Sequence, residues 1–148
     1  MNNQQNNAET LCELNAPDTA GEDLIDRFER GLTSADSFHH ADHVRLAFEY
    51  LSRYPALTAL EKFSSALRRY AVAKGKANLY HETVTWAYLF LIHERMARDG
   101  QGSSWAEFSA RNLDLFQWKG GLLDRLYNKQ TLDSPVARSV FVLPDRGL

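Results

Sequence analysis

The stretch YHETVTWAYLFLIHERMARD, residues 80–99, decides the fold class. It is the most apolar segment of the chain, and Gly100 and Gly102 follow it directly. Glycine is a common stop signal just past the end of a helix, so the stretch predicts one long helix. Because this helix has the most apolar sequence, we expect it to be the central one.

Apolar residues at helical spacing predict further helices on both sides of this stretch. Pro55 separates two of these helices, and Gly75 is a natural stop for the second. A single turn and a short extended arm are expected near the C-terminus, over residues 131–138 and 139–143. The main predicted helices cover about residues 24–32, 39–54, 56–73, 103–112 and 122–127. With no alternating pattern for a sheet, the prediction is an all-α, single-domain helical bundle of four to six helices.

The N-terminus reads MNNQQNN and is rich in Asn and Gln. Such a segment cannot bury enough apolar surface to offset the entropy of ordering. We therefore predict a flexible polar tail over residues 1–20 and a single helical domain over residues 21–148.

Composition argues against several functional classes. The net charge of −2 gives no basic surface of the kind that nucleic-acid-binding proteins use. The single Cys12 allows no internal disulfide and no CxxC zinc motif. The N-terminus lacks the apolar run of a signal peptide, and the apolar part of residues 80–99 is too short to cross a bilayer. We expect a cytoplasmic protein that binds neither nucleic acid nor membrane.

Four of the five histidines lie at the starts of two predicted helices. His39, His40 and His43 begin the helix over residues 39–54. The pairs His39–His43 and His40–His43 both have spacings that place two rings on one face. Imidazoles with one carboxylate suit zinc, or iron in a two-His-one-carboxylate set. We predict that His43, His81 and one of His39 and His40 bind a divalent transition metal, Zn or Fe.

Glu82 follows His81 directly and is the candidate fourth ligand or general base. Alternatively, it is an acid that stabilises the first turn of its helix. Thr85 lies one turn after His81, where its hydroxyl could orient a ligand. Trp86 lies one turn after Glu82 and could form a pocket wall.

In the first cluster, Asp42 is a second candidate catalytic residue. Asp42 and Arg45 could also support the ligands through hydrogen bonds or bind substrate. His93, twelve residues after His81, lies about 18 Å along a straight helix from it and is predicted to face solvent.

Two motifs around these residues resemble a family of small bacterial all-helical proteins of uncharacterised function. The family pattern F-x-H-x-[DE]-H-[LV]-R-x-A corresponds here to Phe38–Ala47, and Y-H-E-T-[IV]-T to Tyr80–Thr85. A C-terminal phrase matches Phe141–Asp145. The resemblance implies His40 rather than His39 as the metal ligand, and it favours His81 and Glu82. It implies no particular reaction.

Two hypotheses follow for the function. In the first, the chain is a metal-binding helical protein that acts as a metal-dependent small-molecule enzyme, hydrolytic or oxygen-using. In the second, it is a non-catalytic module that binds a small molecule or another protein. Both hypotheses place a small-molecule ligand or a protein at the histidine cluster, and a homodimer is compatible with either.

Overall fold

The computed structural model describes residues 19–100 and 102–147. Within these ranges the chain is all-α, with eight α-helices, three short 3-10 turns and no strand, which confirms the predicted fold class. The helices are α1 (Thr19–Glu29), α2 (His40–Arg53), α3 (Ala56–Ala73), α4 (Glu82–Asp99), α5 (Trp105–Arg111), α6 (Leu122–Leu126), α7 (Lys129–Leu132) and α8 (Pro135–Ser139). The 3-10 turns are Ala35–Ser37, Ala77–Leu79 and Leu113–Phe116.

The flexible tail predicted over residues 1–20 falls outside the described residues, apart from its last two positions, where α1 has already begun. None of the helices in the described ranges is long and apolar enough to cross a membrane.

The stretch that predicts the fold class forms α4, which packs against α2, α3 and α8. Leu89 and Ile92 on α4 are fully buried, and they share one core with Leu46 of α2 and Ala59 of α3. Helix α1 packs across α2 and α3. The apolar character of α4 therefore reflects contacts with neighbours on several sides, as expected for the central helix.

Helix α3 ends where the sequence predicts, because Gly75 adopts a φ of +70° that residues with a Cβ rarely adopt. The turn that Gly75 makes directs the chain through Lys76 to the start of α4. His81 therefore lies close to the end of α3, and the loop over residues 74–79 borders the functional site described below.

The C-terminal residues form a layer that covers the N-terminal half of α4. A second small core joins Ala87 and Tyr88 of α4 to Leu123 and Tyr127 around α6. The single turn expected over residues 131–138 is instead two helices, α7 and α8. They separate because Ser134 caps α8 by accepting the Ala137 N–H at 3.2 Å.

The predicted extended arm is held on the start of α4. The Thr83 hydroxyl donates to the Val140 carbonyl at 2.9 Å and accepts the Val142 N–H at 3.1 Å. The Phe141 ring stacks on Trp86 with a centroid distance of 5.3 Å. Thr83 is fully buried, so these bonds are shielded from water.

Candidate functional site

A cleft of about 1010 Å3 lies between helices α2, α3 and α4 on one side and helices α6 and α7 with the Trp118–Gly120 loop on the other. Both histidine-bearing helix starts border it, and His39, His40, His43, His81 and Thr85 all contribute to its lining. Its apolar floor consists of Phe38, Val44, Ala47, Phe63, Leu67, Val84, Leu123 and Leu132. The cleft thus joins the two regions that the sequence analysis groups into one site.

The His43 ring lies in the cleft and stacks on Phe38, with ring centroids 4.3 Å apart. Burial, with a smaller contribution from the nearby His40, lowers the pKa of His43 to about 4, and Asp42 offsets part of this shift. The ring is therefore neutral at pH 7 and offers one N–H donor and one nitrogen acceptor. Within the described ranges no hydrogen bond is formed with this ring, so both groups are available to a ligand.

His40 lies on the adjacent wall of the cleft, and one of its two ring nitrogens is hydrogen-bonded. Its Nε2–H donates to the Leu115 carbonyl oxygen at 2.8 Å. Its ring packs against Tyr88 and Trp118, with centroid distances of 4.8 and 5.0 Å. Burial lowers the pKa of His40, and the bond to Leu115 opposes this shift. One ring nitrogen, Nδ1, remains for a ligand.

The Leu115 carbonyl that bonds to His40 belongs to a segment that side-chain hydrogen bonds hold in place. Arg95 of α4 forms a bidentate ion pair with Asp114, with N–O distances of 2.9 and 2.8 Å, and also donates to Asn112. These bonds fix the 3-10 turn Leu113–Phe116, and with it the Leu115 carbonyl, against the bundle. The orientation of His40 is therefore set from the far end of α4.

The first turn of α2 also places His39 and Asp42. The Asp42 carboxylate accepts the His39 backbone N–H at 2.8 Å, as an acid in the first helical turn does in a capping box. His39 is exposed at the rim of the cleft, whereas Asp42 does not line it. The structure therefore brings His40 and His43, rather than Asp42, to the interior of the site.

His81 borders the cleft but has both ring nitrogens engaged. Its Nδ1 accepts the Val84 N–H at 3.2 Å and so caps α4. Its Nε2 lies 2.7 Å from the Leu132 carbonyl oxygen, which can only accept, so Nε2 carries the proton. His81 thereby joins the start of α4 to the end of α7, and a metal could bind the ring only by displacing one of these bonds.

Glu82 is buried and turned away from the cleft. Its carboxylate pairs with Arg68 of α3 and accepts from the Tyr80 hydroxyl at 3.1 Å and from the Trp86 indole N–H. Three donors around one buried carboxylate stabilise its charge and occupy its lone pairs. Neither Glu82 nor Trp86 lines the cleft.

The predicted metal ligands do not converge. In the described part of the chain, no group of three or more His, Cys, Asp or Glu side chains is arranged to hold a metal ion. Arg45 points away from the cleft, 3.7 Å from the buried Glu49 and over the Trp105 ring. The metal centre of His40, His43, His81 and Glu82 is thus unsupported by this geometry and stays a prediction of the sequence.

Sequence reasoning missed the tyrosines of the cleft. Tyr88 lines it, and burial, with a smaller effect of Asp124, raises the pKa of Tyr88 to about 12, so the hydroxyl stays protonated. The Tyr70 hydroxyl is buried and has no hydrogen-bond partner within the described ranges. Residues 81, 84, 85 and 88 follow the i, i+3, i+4, i+7 rule, and that periodicity could have identified Tyr88.

No comparable sequence pattern could have predicted that Trp118 forms a wall of the cleft. Trp118 is 55% exposed and belongs to no helix. Its loop is kept tight by Gly121, where a Cβ would clash with the Gln117 carbonyl. Only the tertiary fold brings this ring against His40.

Comparison of the chain with models of known protein families, with curated protein sequences and with solved structures finds no match.

Proposed function

We propose that this protein binds a small organic molecule with an apolar body in the cleft between α2, α3, α4 and the C-terminal helices. The observation that carries the proposal is a set of polar groups without protein partners on the wall of an apolar cavity. The set comprises the His43 ring and the Tyr88 hydroxyl, and both residues line the cleft.

Polar groups of this kind favour a ligand on energetic grounds. Each such group keeps its hydrogen-bonding capacity for a ligand, and a hydrogen bond made to it contributes about 0.5–1.5 kcal/mol. Small-molecule sites usually combine mostly apolar walls with a few placed polar groups, in cavities of about 300–1,000 Å3. The cleft, at about 1010 Å3, is at the upper end of that range.

The chemistry of the lining favours binding over catalysis. His43 is a neutral imidazole at pH 7, and the raised pKa of Tyr88 keeps its hydroxyl protonated, so both can exchange hydrogen bonds with a ligand. The acid that a hydrolytic or oxygen-using site would need, Glu82, is paired with Arg68 behind the wall. The binding module is therefore the hypothesis that the geometry supports best.

The test uses N-phenyl-1-naphthylamine, a neutral apolar dye that fluoresces when it is shielded from water. Ala71 of α3 is half-buried and lines the cleft, so Ala71→Trp should fill part of the cavity. Ala73, two residues later on the same helix, is exposed and does not line it, so Ala73→Trp is the matched control. We expect the dye to bind the native chain and Ala73→Trp alike, and Ala71→Trp at least about tenfold more weakly.

Circular dichroism and thermal melting would confirm that both variants are folded. Equal dye binding by the two tryptophan variants, or no binding by the native chain, would count against the cleft as a ligand site. Bound zinc or iron that is lost in His43→Ala would instead support the metal hypothesis.

A further inference from the structure

The lining of the cleft differs in charge from the rest of the molecule. The whole chain has a net charge of −2. The cleft, in contrast, is lined by six cationic side chains and only two acidic ones, Asp124 and Asp133. The cationic residues are Lys74, Lys76, Lys119, Lys129, Arg138 and Arg146.

These cations also differ from the other basic residues in their partners. The ion pairs of the described chain use Arg30, Arg45, Arg53, Arg68, Arg95 and Arg98, and none of these arginines lines the cleft. None of the six cleft cations lies within 4.0 Å of a carboxylate in the described ranges. Their positive charge is therefore not neutralised by a neighbouring acid.

Two of the cleft arginines are positioned without being neutralised. Arg138 donates to the Asn78 carbonyl at 3.1 Å, and Arg146 donates to the Asp124 carbonyl at 2.9 Å. A backbone carbonyl fixes the direction of a guanidinium but leaves its net charge in place. Such an arrangement is suited to an anion supplied from outside the chain.

The cationic side chains are most closely grouped at the edge of the cleft that is formed by the loop between α3 and α4. Lys74 and Lys76 flank Gly75 in this loop, and the bond from Arg138 to Asn78 brings a third cation to it. On the basis of the proposed small-molecule site, we infer that its ligand is an amphipathic organic anion. Its carboxylate, phosphate or sulfonate group is held by Lys74, Lys76 and Arg138, while the apolar floor receives its body.

The test compares two dyes that differ by one sulfonate group. 1-Anilinonaphthalene-8-sulfonate carries one sulfonate, and N-phenyl-1-naphthylamine is the same molecule without it. We expect the sulfonate to bind the native chain at least about tenfold more tightly at low salt, and this preference to shrink as salt screens the charges.

The variant Lys74→Gln with Lys76→Gln should weaken binding of the sulfonate about fivefold or more and leave binding of the neutral dye within twofold. The matched control, Lys62→Gln with Arg111→Gln, removes the same number of positive charges from exposed positions outside the cleft. It should change the affinity for either dye by no more than about twofold. Arg138 is left intact because its bond to Asn78 joins α8 to the loop.

Equal affinity for the two dyes would overturn the inference, as would a control variant that weakens the sulfonate as much as the loop variant does. If Ala71→Trp still weakens both dyes in that case, the cleft binds apolar molecules and only the anionic preference is wrong. If Ala71→Trp affects neither dye, the proposed binding site itself fails.

Discussion

The starts of helices α2 and α4 carry similar sequence signals and play different parts in the structure. At α4, His81 has both ring nitrogens bonded, to Val84 N–H and to the Leu132 carbonyl. At α2, in contrast, His43 forms no hydrogen bond with the described residues and lies in the cleft. At the α4 start the histidine joins elements of the fold, whereas at the α2 start His43 leaves both of its ring nitrogens without a partner among the described residues.

The comparison shows that a structural histidine has hydrogen-bond partners for both ring nitrogens, whereas a candidate functional histidine has nitrogens without a partner. A buried polar group with all its bonds made contributes to stability, and its loss leaves its partners unsatisfied. A group with unused donors and acceptors adds no hydrogen bond to the fold and is free to bind a ligand. The predictions below test this division, since changes at the α4 start should affect folding and changes at the α2 start should affect titration.

The largest effect is expected from Glu82→Ala, which removes the buried carboxylate shared by Arg68, Tyr80 and Trp86. These three donors would lose their acceptor, and we expect the free energy of unfolding to fall by about 3 kcal/mol. Urea denaturation followed by circular dichroism measures this change.

The matched control is Glu94→Ala on the same helix, which breaks an exposed ion pair with Arg98. It should cost about 0.5 kcal/mol or less, because solvent screens such pairs. Similar losses in the two variants would contradict the structural role of Glu82.

A smaller effect is expected from His81→Leu, which removes the cap of α4 and the bond to the Leu132 carbonyl. Together these losses should lower the free energy of unfolding by about 2 kcal/mol. His81→Asn retains a side-chain oxygen that can cap α4, so it should recover about 1 kcal/mol. Denaturation curves that place Asn no higher than Leu would show that the cap contributes little.

The all-α fold followed directly from periodicity and stop signals. Residues 80–99 predicted a helix that the structure places at Glu82–Asp99, and Gly75 ended α3 as expected. These features depend on residues close together in the sequence, where spacing and backbone conformation are nearly sufficient. The separation of α7 from α8 was missed although Ser134 followed by Pro135 is a local start signal, a capping residue with proline at the first helical position.

The candidate site was predictable only in part. Helical spacing placed His40 and His43 on one side of α2, and both line the cleft. It could not show that Arg68, fourteen residues before Glu82, would pair with that carboxylate, or that the Leu132 carbonyl would bond to His81. Saturation by distant partners depends on the tertiary fold, which a single sequence does not display.

The α2 start should appear in the pH dependence of stability. His43 has a pKa of about 4 in the folded chain and an ordinary value of 6.5 when unfolded. Between these values only the unfolded state binds the proton, so acid favours unfolding and stability falls as pH decreases from 6.5 toward 4. From pH 7 to pH 5 the loss due to His43 should be about 1.5–2 kcal/mol.

His43→Leu removes the titrating group at similar volume and should reduce this pH dependence, with denaturation curves at the two pH values as the measurement. His93→Leu is the control, because His93 is exposed on α4 and lies outside the cleft. An unchanged pH dependence in His43→Leu would mean that another group produces it.

The smallest effect is expected at Trp118, the exposed wall of the same site. Burial is the main cause that lowers the pKa of His40, and the Trp118 ring covers that imidazole at a centroid distance of 5.0 Å. Trp118→Ala should admit water and raise the pKa of His40 toward 6.5, at a stability cost of about 1 kcal/mol or less.

Titration of the imidazole signals by NMR measures the shift, with Leu113→Ala as an exposed apolar control outside the cleft. If the titration of His40 is the same in Trp118→Ala as in the native chain, the Trp118 ring does not cover His40 in solution. The α2 start would then differ from the α4 start only in its hydrogen bonds, because no aromatic ring would shield His40 from water.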